Sequence, residues 1–169
     1  SSHTTFRIGG PAEAYVCPGN EEELGKVICL CREHDIPWSV LGNGSNLLVS
    51  DRGIKGVVIA MEGNWCYAGA EGSVIRAGAG ELLGRVARVA LYHCLTGMEF
   101  AAGIPGSVGG ALVMNAGAYG SEIKNILKSA RVMTNEGEVL ELSVDELELG
   151  YRTSCIPGRG YTVLEASFQ

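Results

Sequence analysis

Two stretches of the chain place apolar residues three to four positions apart, which is the spacing of one helix face. In the first stretch the apolar positions are Leu24, Val27, Ile28 and Cys31. In the second they are Leu83, Val86, Ala87, Ala90 and Cys94. The pattern predicts helices over residues 21–34 and 81–95, and Asn20 is the expected N-cap of the first, since glutamates follow it in the first turn.

Shorter apolar runs bounded by glycine or polar turns predict strands. The expected strands are residues 14–17, 38–41, 47–49, 57–61, 65–68, 74–77, 130–134, 139–142 and 161–168. The first strands alternate with a helix, as in an α/β unit, whereas hairpin-type loops join those after residue 63. We therefore expect a small α/β lobe over residues 1–62 and a larger lobe with an antiparallel sheet over residues 63–169, an α+β chain.

Glycine is unusually common, with 25 residues among 169, about twice the usual share. Many glycines lie in the uncharged stretch of residues 101–120, AAGIPGSVGGALVMNAGAYG. There, Pro105-Gly106 predicts a turn, and Ser107 is the expected N-cap of a short helix over residues 108–114. So little side-chain bulk would leave backbone N–H groups free for a flat ligand, or else would let the helix pack tightly on a neighbour.

A second glycine-rich loop, GNGSN, occupies residues 42–46 between two expected strands. Its glycines, hydroxyl and amides could form a nest of N–H groups around an anionic oxygen, although a plain hairpin turn explains the loop equally well. A strand rather than a helix is expected to follow, and the loop has no P-loop lysine. These features exclude the usual Rossmann and P-loop motifs.

Charge and cysteine usage narrow the class of protein further. The net charge of −6, without clustered lysine and arginine, argues against a nucleic-acid partner. No apolar run approaches the length of a membrane span and no leader opens the chain, so we expect a cytoplasmic protein without membrane insertion. The six cysteines lack a C-x-x-C pair and the histidines are scattered, which predicts reduced, partly buried thiols and no metal site.

Four segments, in this order, resemble the UDP-N-acetylenolpyruvoylglucosamine reductase (UDP-N-acetylmuramate dehydrogenase) family: TTFRIGGPAEAYV, LGNGSNLLVSDRGIKGVVI, AGIPGSVGGALVMNAGAYG and GYRTS. The resemblance implies a two-lobed FAD-binding fold of the vanillyl-alcohol-oxidase/PCMH type. It also implies a flavoprotein oxidoreductase that uses NADPH to convert UDP-N-acetylglucosamine enolpyruvate to UDP-N-acetylmuramate. That reaction belongs to peptidoglycan synthesis, and hence to cell wall biogenesis, cell shape and cell division.

The same resemblance implies roles for individual residues. Arg152 in GYRTS would be catalytic, because a planar guanidinium can hold a carboxylate and stabilise enolate-like charge. Tyr151 and Arg152 would contact the substrate, a UDP-sugar enolpyruvyl ether. The implied FAD contacts are Gly42, Asn43, Gly44, Ser45, Asn46, Ile104, Pro105, Gly106, Ser107, Gly109, Gly110, Ala116, Gly117, Ala118 and Tyr119.

Alternatives stay open at this point. The family's proton-donating serine and helper glutamate lie in a C-terminal substrate-binding domain, which has no counterpart before Gln169. We therefore expect this portion to bind FAD without turnover. A non-catalytic flavin- or nucleotide-binding module, or a different FAD-linked oxidoreductase of the same fold, would use the same glycine loops. The non-catalytic module would have no need for Arg152. Separately, Arg152 could be an ordinary arginine paired with a surface acid, which is the usual role of an arginine.

Overall fold

The computed structural model describes residues 3–169. Near its start, three parallel strands form a small sheet of order β1-β3-β2: β1 (Ala12–Val16), β2 (Trp38–Leu41) and β3 (Ile54–Ala60). Helix α1 (Glu21–Glu33) links β1 to β2, and its buried side chains are Leu24, Ile28 and Cys31. Parallel strands need such a crossover, which explains why the helical pattern stands between two strand patterns.

A second sheet is antiparallel throughout and has the order β4-β5-β10-β8-β9. Its strands are β4 (Ala68–Glu71), β5 (Val74–Gly78), β8 (Leu127–Met133), β9 (Val139–Ser143) and β10 (Thr162–Phe168). The last strand of the chain lies at the centre of this sheet. Leu164, Ala166 and Phe168 are therefore almost fully buried.

Helices α2 (Leu83–Tyr92) and α3 (Val108–Val113) lie against the antiparallel sheet, where α3 contacts β5 and β10. A small hairpin follows, made of β6 (Gly117–Ala118) and β7 (Ser121–Glu122). Short 3-10 turns occupy Gly63–Trp65, Glu99–Gly103 and Ile123–Asn125. One continuous apolar core joins α1 to the larger sheet, and the division at residues 62 and 63 stays a prediction. Between residues 3 and 169, no helix is long and apolar enough to cross a membrane.

Some expected elements differ from the structure. Residues 47–49 do not form a strand: Leu48 is exposed, and the long β2–β3 loop is held instead by the Gly10 and Gly53 N–H groups, which both donate to the Ser50 carbonyl. The expected strand at 65–68 begins only at Ala68, because a 3-10 turn precedes it. The expected helix at 81–95 is shorter at both ends, and Cys94 has a φ of 54°.

The segment around Pro105-Gly106 also differs from the expected turn. Residues 104–106 form no turn, Ile104 and Ser107 are extended, and the Leu83 N–H donates to the Gly106 carbonyl at 3.0 Å. Ser107 faces Leu82 in an isolated antiparallel bridge. The start of α2 therefore supplies partners that local turn preferences could not show.

The N-cap of α1 gives a first testable prediction. The Asn20 Oδ1 accepts a hydrogen bond from the Glu23 N–H at 2.9 Å, so Asn20→Ala leaves a first-turn donor without its partner. We expect the free energy of unfolding to fall by about 1 kcal/mol, measured by urea denaturation. Asn20→Asp keeps an acceptor at this position and should stay within about 0.5 kcal/mol of the unchanged chain. Equal losses in the two variants would contradict the capping role.

Candidate functional site

A cavity of about 470 Å³ lies between the loop at residues 42–46 and the segment at residues 104–110. It lies beside the end of β2 and the start of β10, and residues of both strands line it. The predicted FAD contacts that line it are Gly42, Asn43, Gly44, Ser45, Asn46, Ile104, Pro105, Gly106, Ser107, Gly109, Gly110 and Ala116. Arg152 lines the same cavity, so one space brings together three segments that are far apart in the sequence.

The loop at residues 42–46 presents its backbone to the cavity. Among the hydrogen bonds of residues 3–169, none is donated by a backbone N–H of residues 42–47. Gly44 has a φ of 60°, and a Cβ there would lie 2.4 Å from the His3 carbonyl oxygen. Unpaired N–H groups on such a turn form a concave donor surface suited to an anionic oxygen. The loop is therefore not a hairpin turn between two strands, and its binding of a phosphate stays a prediction.

The two glycine-rich segments are held against each other directly. The Asn43 Nδ2 donates to the Pro105 carbonyl at 2.8 Å. A Cβ at Gly42 would meet the Ser107 Oγ at 2.1 Å, so the loop backbone and this hydroxyl leave no room for a side chain. The glycine at position 42 is thus required by close approach, and the cavity wall is a single packed unit.

Two alternatives were open for the start of α3, free N–H groups or tight packing on a neighbouring element, and the structure has the second. The Val108 and Gly109 N–H groups donate to the carbonyls of Glu81 and Ala79, both at 2.8 Å. The Gly110 N–H donates to the Ser107 Oγ at 3.4 Å, so Ser107 is the N-cap as expected. A Cβ at Gly109 would lie 3.2 Å from the Ala79 carbonyl oxygen, which shows that this glycine serves the tight packing of the helix against the chain after β5.

Arg152 lies in a tight turn between Gly150 and Thr153, whose backbones exchange hydrogen bonds of 3.0 and 3.3 Å. Its φ is 56° and its side chain is exposed. No ion pair of the described residues includes Arg152, which contradicts the alternative of an arginine paired with a surface acid. A permanent positive charge therefore stands at the cavity without a carboxylate of the described chain against it.

Four predicted site residues lie outside the cavity lining: Gly117, Ala118, Tyr119 and Tyr151. The first three belong to the β6–β7 hairpin, whose tip is formed by Tyr119 and Gly120, both with positive φ. Tyr119 is 96% exposed and Tyr151 is 89% exposed. Contact of these residues with a cofactor or substrate stays a prediction.

Sequence reasoning missed several lining residues, notably Met61, Ala79, Thr162 and Val163. Thr162 is 1% exposed, and its Oγ1 has no hydrogen-bond partner among the described residues. The sequence carried little indication that Thr162 and Val163 line a site, because they stand at the start of an expected strand and differ little from ordinary core residues. They reach the site only because β10 is the central strand of its sheet.

The cysteines are not part of this site, since none lines the cavity. Cys31 and Cys155 are buried and Cys29 is half-buried, whereas Cys17, Cys66 and Cys94 are exposed, which agrees with the expectation of partly buried thiols. Desolvation raises the pKa of the Cys66 thiol, and the carboxylates of Glu81 and Glu62 raise it further. A thiol with a raised pKa is mostly protonated at neutral pH and is a poor nucleophile.

Comparisons with known proteins agree with this geometry. Residues 12–143 match the family model described as FAD binding domain. The chain is 51% identical, over 99% of its length, to UDP-N-acetylenolpyruvoylglucosamine reductase of Lachnoclostridium phytofermentans, of which it covers 56%. It is also 51% identical to the reductase of Clostridium novyi, of which it covers 54%. The chain thus spans about half the length of the curated relatives that it matches.

A solved structure supports the same grouping. The crystal structure of UDP-N-acetylenolpyruvylglucosamine reductase from Thermus caldophilus aligns over 99% of this chain and 59% of its own, with 36% identity and a TM-score of 0.82. The expected mixed helix-and-sheet FAD-binding fold is thereby confirmed.

Proposed function

This chain belongs to the FAD binding domain family, and we propose that it is the flavin-binding part of a UDP-N-acetylenolpyruvoylglucosamine reductase. One observation carries the proposal: a loop of unpaired backbone N–H groups and the unpaired guanidinium of Arg152 border the same cavity. The first suits a pyrophosphate and the second suits a carboxylate. The names of the similar proteins supply the substrate class.

The residues present fit FAD at several points. Glycines at positions 42 and 44 let the loop backbone pack directly against the Ser107 Oγ and the His3 carbonyl, in a conformation that leaves the loop's N–H groups unpaired. Gly106 and Ser107 add further N–H groups that donate to no atom of the described chain. The apolar wall from Met61, Ala79 and Val163 suits a flat ring system. We therefore assign the pyrophosphate to residues 42–47 and the ring system to the space between residues 104–110 and β10.

The protein's share of the reaction is binding, orientation and electrostatics. FAD, when bound, supplies hydride transfer. In the proposed reaction NADPH gives a hydride, the vinyl carbon of the enolpyruvyl ether receives one, and the neighbouring carbon receives a proton. Negative charge develops on that carbon and its carboxylate before the proton arrives. Arg152 lines the cavity and is placed to hold this carboxylate, because the planar fork of its guanidinium can donate hydrogen bonds to two oxygens.

NADPH as reductant, the UDP-sugar substrate and action in the cytoplasm all belong to the proposal. They rest on the similarity to the named reductases. The proton donor is assigned to none of the described residues. A different FAD-linked oxidoreductase of the same fold would share the cavity, but it would have no need for the Arg152 turn to take an enolpyruvyl carboxylate.

The test begins with FAD added to the purified protein, followed by gel filtration and a visible spectrum. The flavin is then reduced by NADPH without oxygen, and the enolpyruvyl ether of UDP-N-acetylglucosamine is added. Retention of FAD is the expected result for this portion. Return of the oxidised flavin spectrum, lost in Arg152→Met while FAD is still retained, is expected when the same steps are run on a protein that contains these residues and has the full length of the relatives. A flavin that oxygen reoxidises but the enolpyruvyl ether never does would contradict the reductase and favour an oxidase. A protein that never retains FAD would contradict the cavity assignment.

A further inference from the structure

The side chain of Asn115 joins three parts of the chain from one buried position. It is 2% exposed and follows Met114, the C-cap of α3. Its Nδ2 donates to the Gly150 carbonyl at 3.0 Å and to the Glu122 Oε2 at 2.8 Å. Its Oδ1 accepts from the Lys124 N–H at 3.0 Å. The end of α3, the strand β7 and the turn that carries Arg152 are thereby tied together.

The partners allow only one orientation of this amide. A backbone N–H needs an acceptor, and a backbone carbonyl needs a donor. The Oδ1 must therefore face Lys124 and the Nδ2 must face Gly150. Leucine could make none of these bonds, and aspartate would set a carboxylate against both the Gly150 carbonyl and the Glu122 carboxylate.

The backbone conformation at position 115 also favours asparagine. Asn115 has a φ of 40°, in the left-handed region that asparagine tolerates better than most residues with a side chain. Its N–H donates to the Leu112 carbonyl, and the N–H of the next residue, Ala116, donates to the Ala111 carbonyl. Few residues other than asparagine meet both the backbone and the side-chain requirement here.

The contact with Gly150 bears directly on Arg152. The Gly150 carbonyl accepts from both Asn115 and the Thr153 N–H, and these bonds hold the two ends of the Arg152 turn. A second anchor lies just beyond, where the Ser154 Oγ donates to the Val113 carbonyl at 2.9 Å. Arg152 has no ion pair of its own among the described residues, so its place at the cavity depends on how this turn is held.

We propose that Asn115 is a positioning residue for Arg152: it holds the turn at Gly150 so that the guanidinium faces the cavity. The proposal rests on the proposed function for the role of Arg152. The positioning itself follows from the buried hydrogen bonds at Asn115. Asn115 acts through the turn and touches neither cofactor nor substrate.

A double substitution that exchanges the amide at position 115 and the carboxylate at position 122 tests this proposal without changing the net charge. In the double variant Asn115→Asp/Glu122→Gln, the amide at position 122 donates to the new carboxylate, and that carboxylate still accepts from the Lys124 N–H. The donor to Gly150 is lost, and a carboxylate oxygen faces the Gly150 carbonyl in its place. The ion pair between Glu122 and Lys124 is lost as well, in the double variant and in Glu122→Gln alike. Glu122→Gln alone is the matched control, because it leaves the Asn115–Gly150 bond in place. Arg152→Met is the reference for complete loss of the guanidinium.

Two measurements are made on the FAD-loaded protein. Amide hydrogen exchange at Gly150 and Thr153 reports on the turn, with amides of β8 as the reference for global stability. The flavin midpoint potential reports on the charge at the cavity, since a nearby cation stabilises the reduced flavin. We expect the double variant to exchange at Gly150 and Thr153 at least about fivefold faster, as for the loss of one hydrogen bond. Its potential should fall by at least half as much as in Arg152→Met.

The control should match the unchanged chain in exchange at Gly150 and Thr153. Because Glu122→Gln removes a negative charge, its potential should not fall. Unchanged exchange in the double variant would overturn the proposal, and would show that Ser154 alone holds the turn. Faster exchange with an unshifted potential would overturn it also, provided that Arg152→Met shifts the potential. If Arg152→Met shifts nothing, the role of Arg152 in the proposed function fails, while the exchange data still decide whether Asn115 holds the turn.

Discussion

Replacing Gly44 with alanine is expected to weaken FAD binding at least about tenfold, so that the protein no longer retains the cofactor through gel filtration. Two physical reasons act together. The φ of 60° at Gly44 is costly for a residue with a Cβ, and that Cβ would lie 2.4 Å from the His3 carbonyl oxygen. The loop at residues 42–47 must then change its path, and its unpaired N–H groups no longer converge. The measurement is a titration with FAD, followed by flavin absorbance or fluorescence.

Gly110→Ala is the matched control for this change. Gly110 also lines the cavity, but it is helical, and a Cβ there would meet the Ser107 Oγ at 3.5 Å, an ordinary contact. Alanine favours a helix more than glycine does, so folding should not suffer. FAD affinity within a few-fold of the unchanged chain is expected. Equal affinity of the Gly44→Ala and Gly110→Ala proteins would show that the loop conformation does not determine cofactor binding.

Replacing Leu112 with alanine is expected to lower the free energy of unfolding by about 2–5 kcal/mol. Leu112 is fully buried in α3, the helix that packs against β5 and β10 behind the cavity. The substitution removes apolar contacts and leaves a cavity that the closely packed backbone around Gly109 cannot fill by moving inward. Urea or thermal denaturation followed by far-UV circular dichroism measures the loss.

Leu91→Ala provides the comparison, since Leu91 is 75% exposed at the end of α2. Its loss should change the stability by no more than about 0.5 kcal/mol. A small effect of Leu112→Ala would contradict the placement of α3 in the shared core. If that variant still folds at low temperature, it should also bind FAD more weakly, because the same helix sets the wall that carries Ser107 and Gly110.

Elements whose signals are local were predictable from the sequence. Helix α1 begins at the expected residue with the expected N-cap, and β2 has the expected bounds. The hairpin of β8 and β9 also lies where alternating residues and the loop around Gly137 place it. In these elements the hydrophobic periodicity agrees with the capping or turn residues at the ends. Local sequence predicts structure well under that condition.

Predictions failed where a distant partner replaced a local preference. Residues 47–49 look like a strand, but no neighbouring strand is there to pair with them. The sequence suggests that the first N–H groups of α3 are free, yet two of them donate to the carbonyls of Glu81 and Ala79. Hydrogen-bond partners of this kind come from chain segments about 30 residues away, and no local pattern records them.

The sequence by itself determined which segments carry the chemistry. Glycine, serine and asparagine at residues 42–46 and 104–110 are the residue types that leave backbone N–H groups accessible, and an arginine in GYRTS is the type that holds a carboxylate. Only the tertiary structure decided that these segments meet at one cavity, that the free donors lie in the loop rather than on α3, and that Asn115 holds the Arg152 turn. The physical reason is that residue type and backbone preference act over a few residues of the chain. Packing around the central strand β10, in contrast, decides which distant N–H and carbonyl groups pair with each other and which N–H groups stay free to bind a ligand.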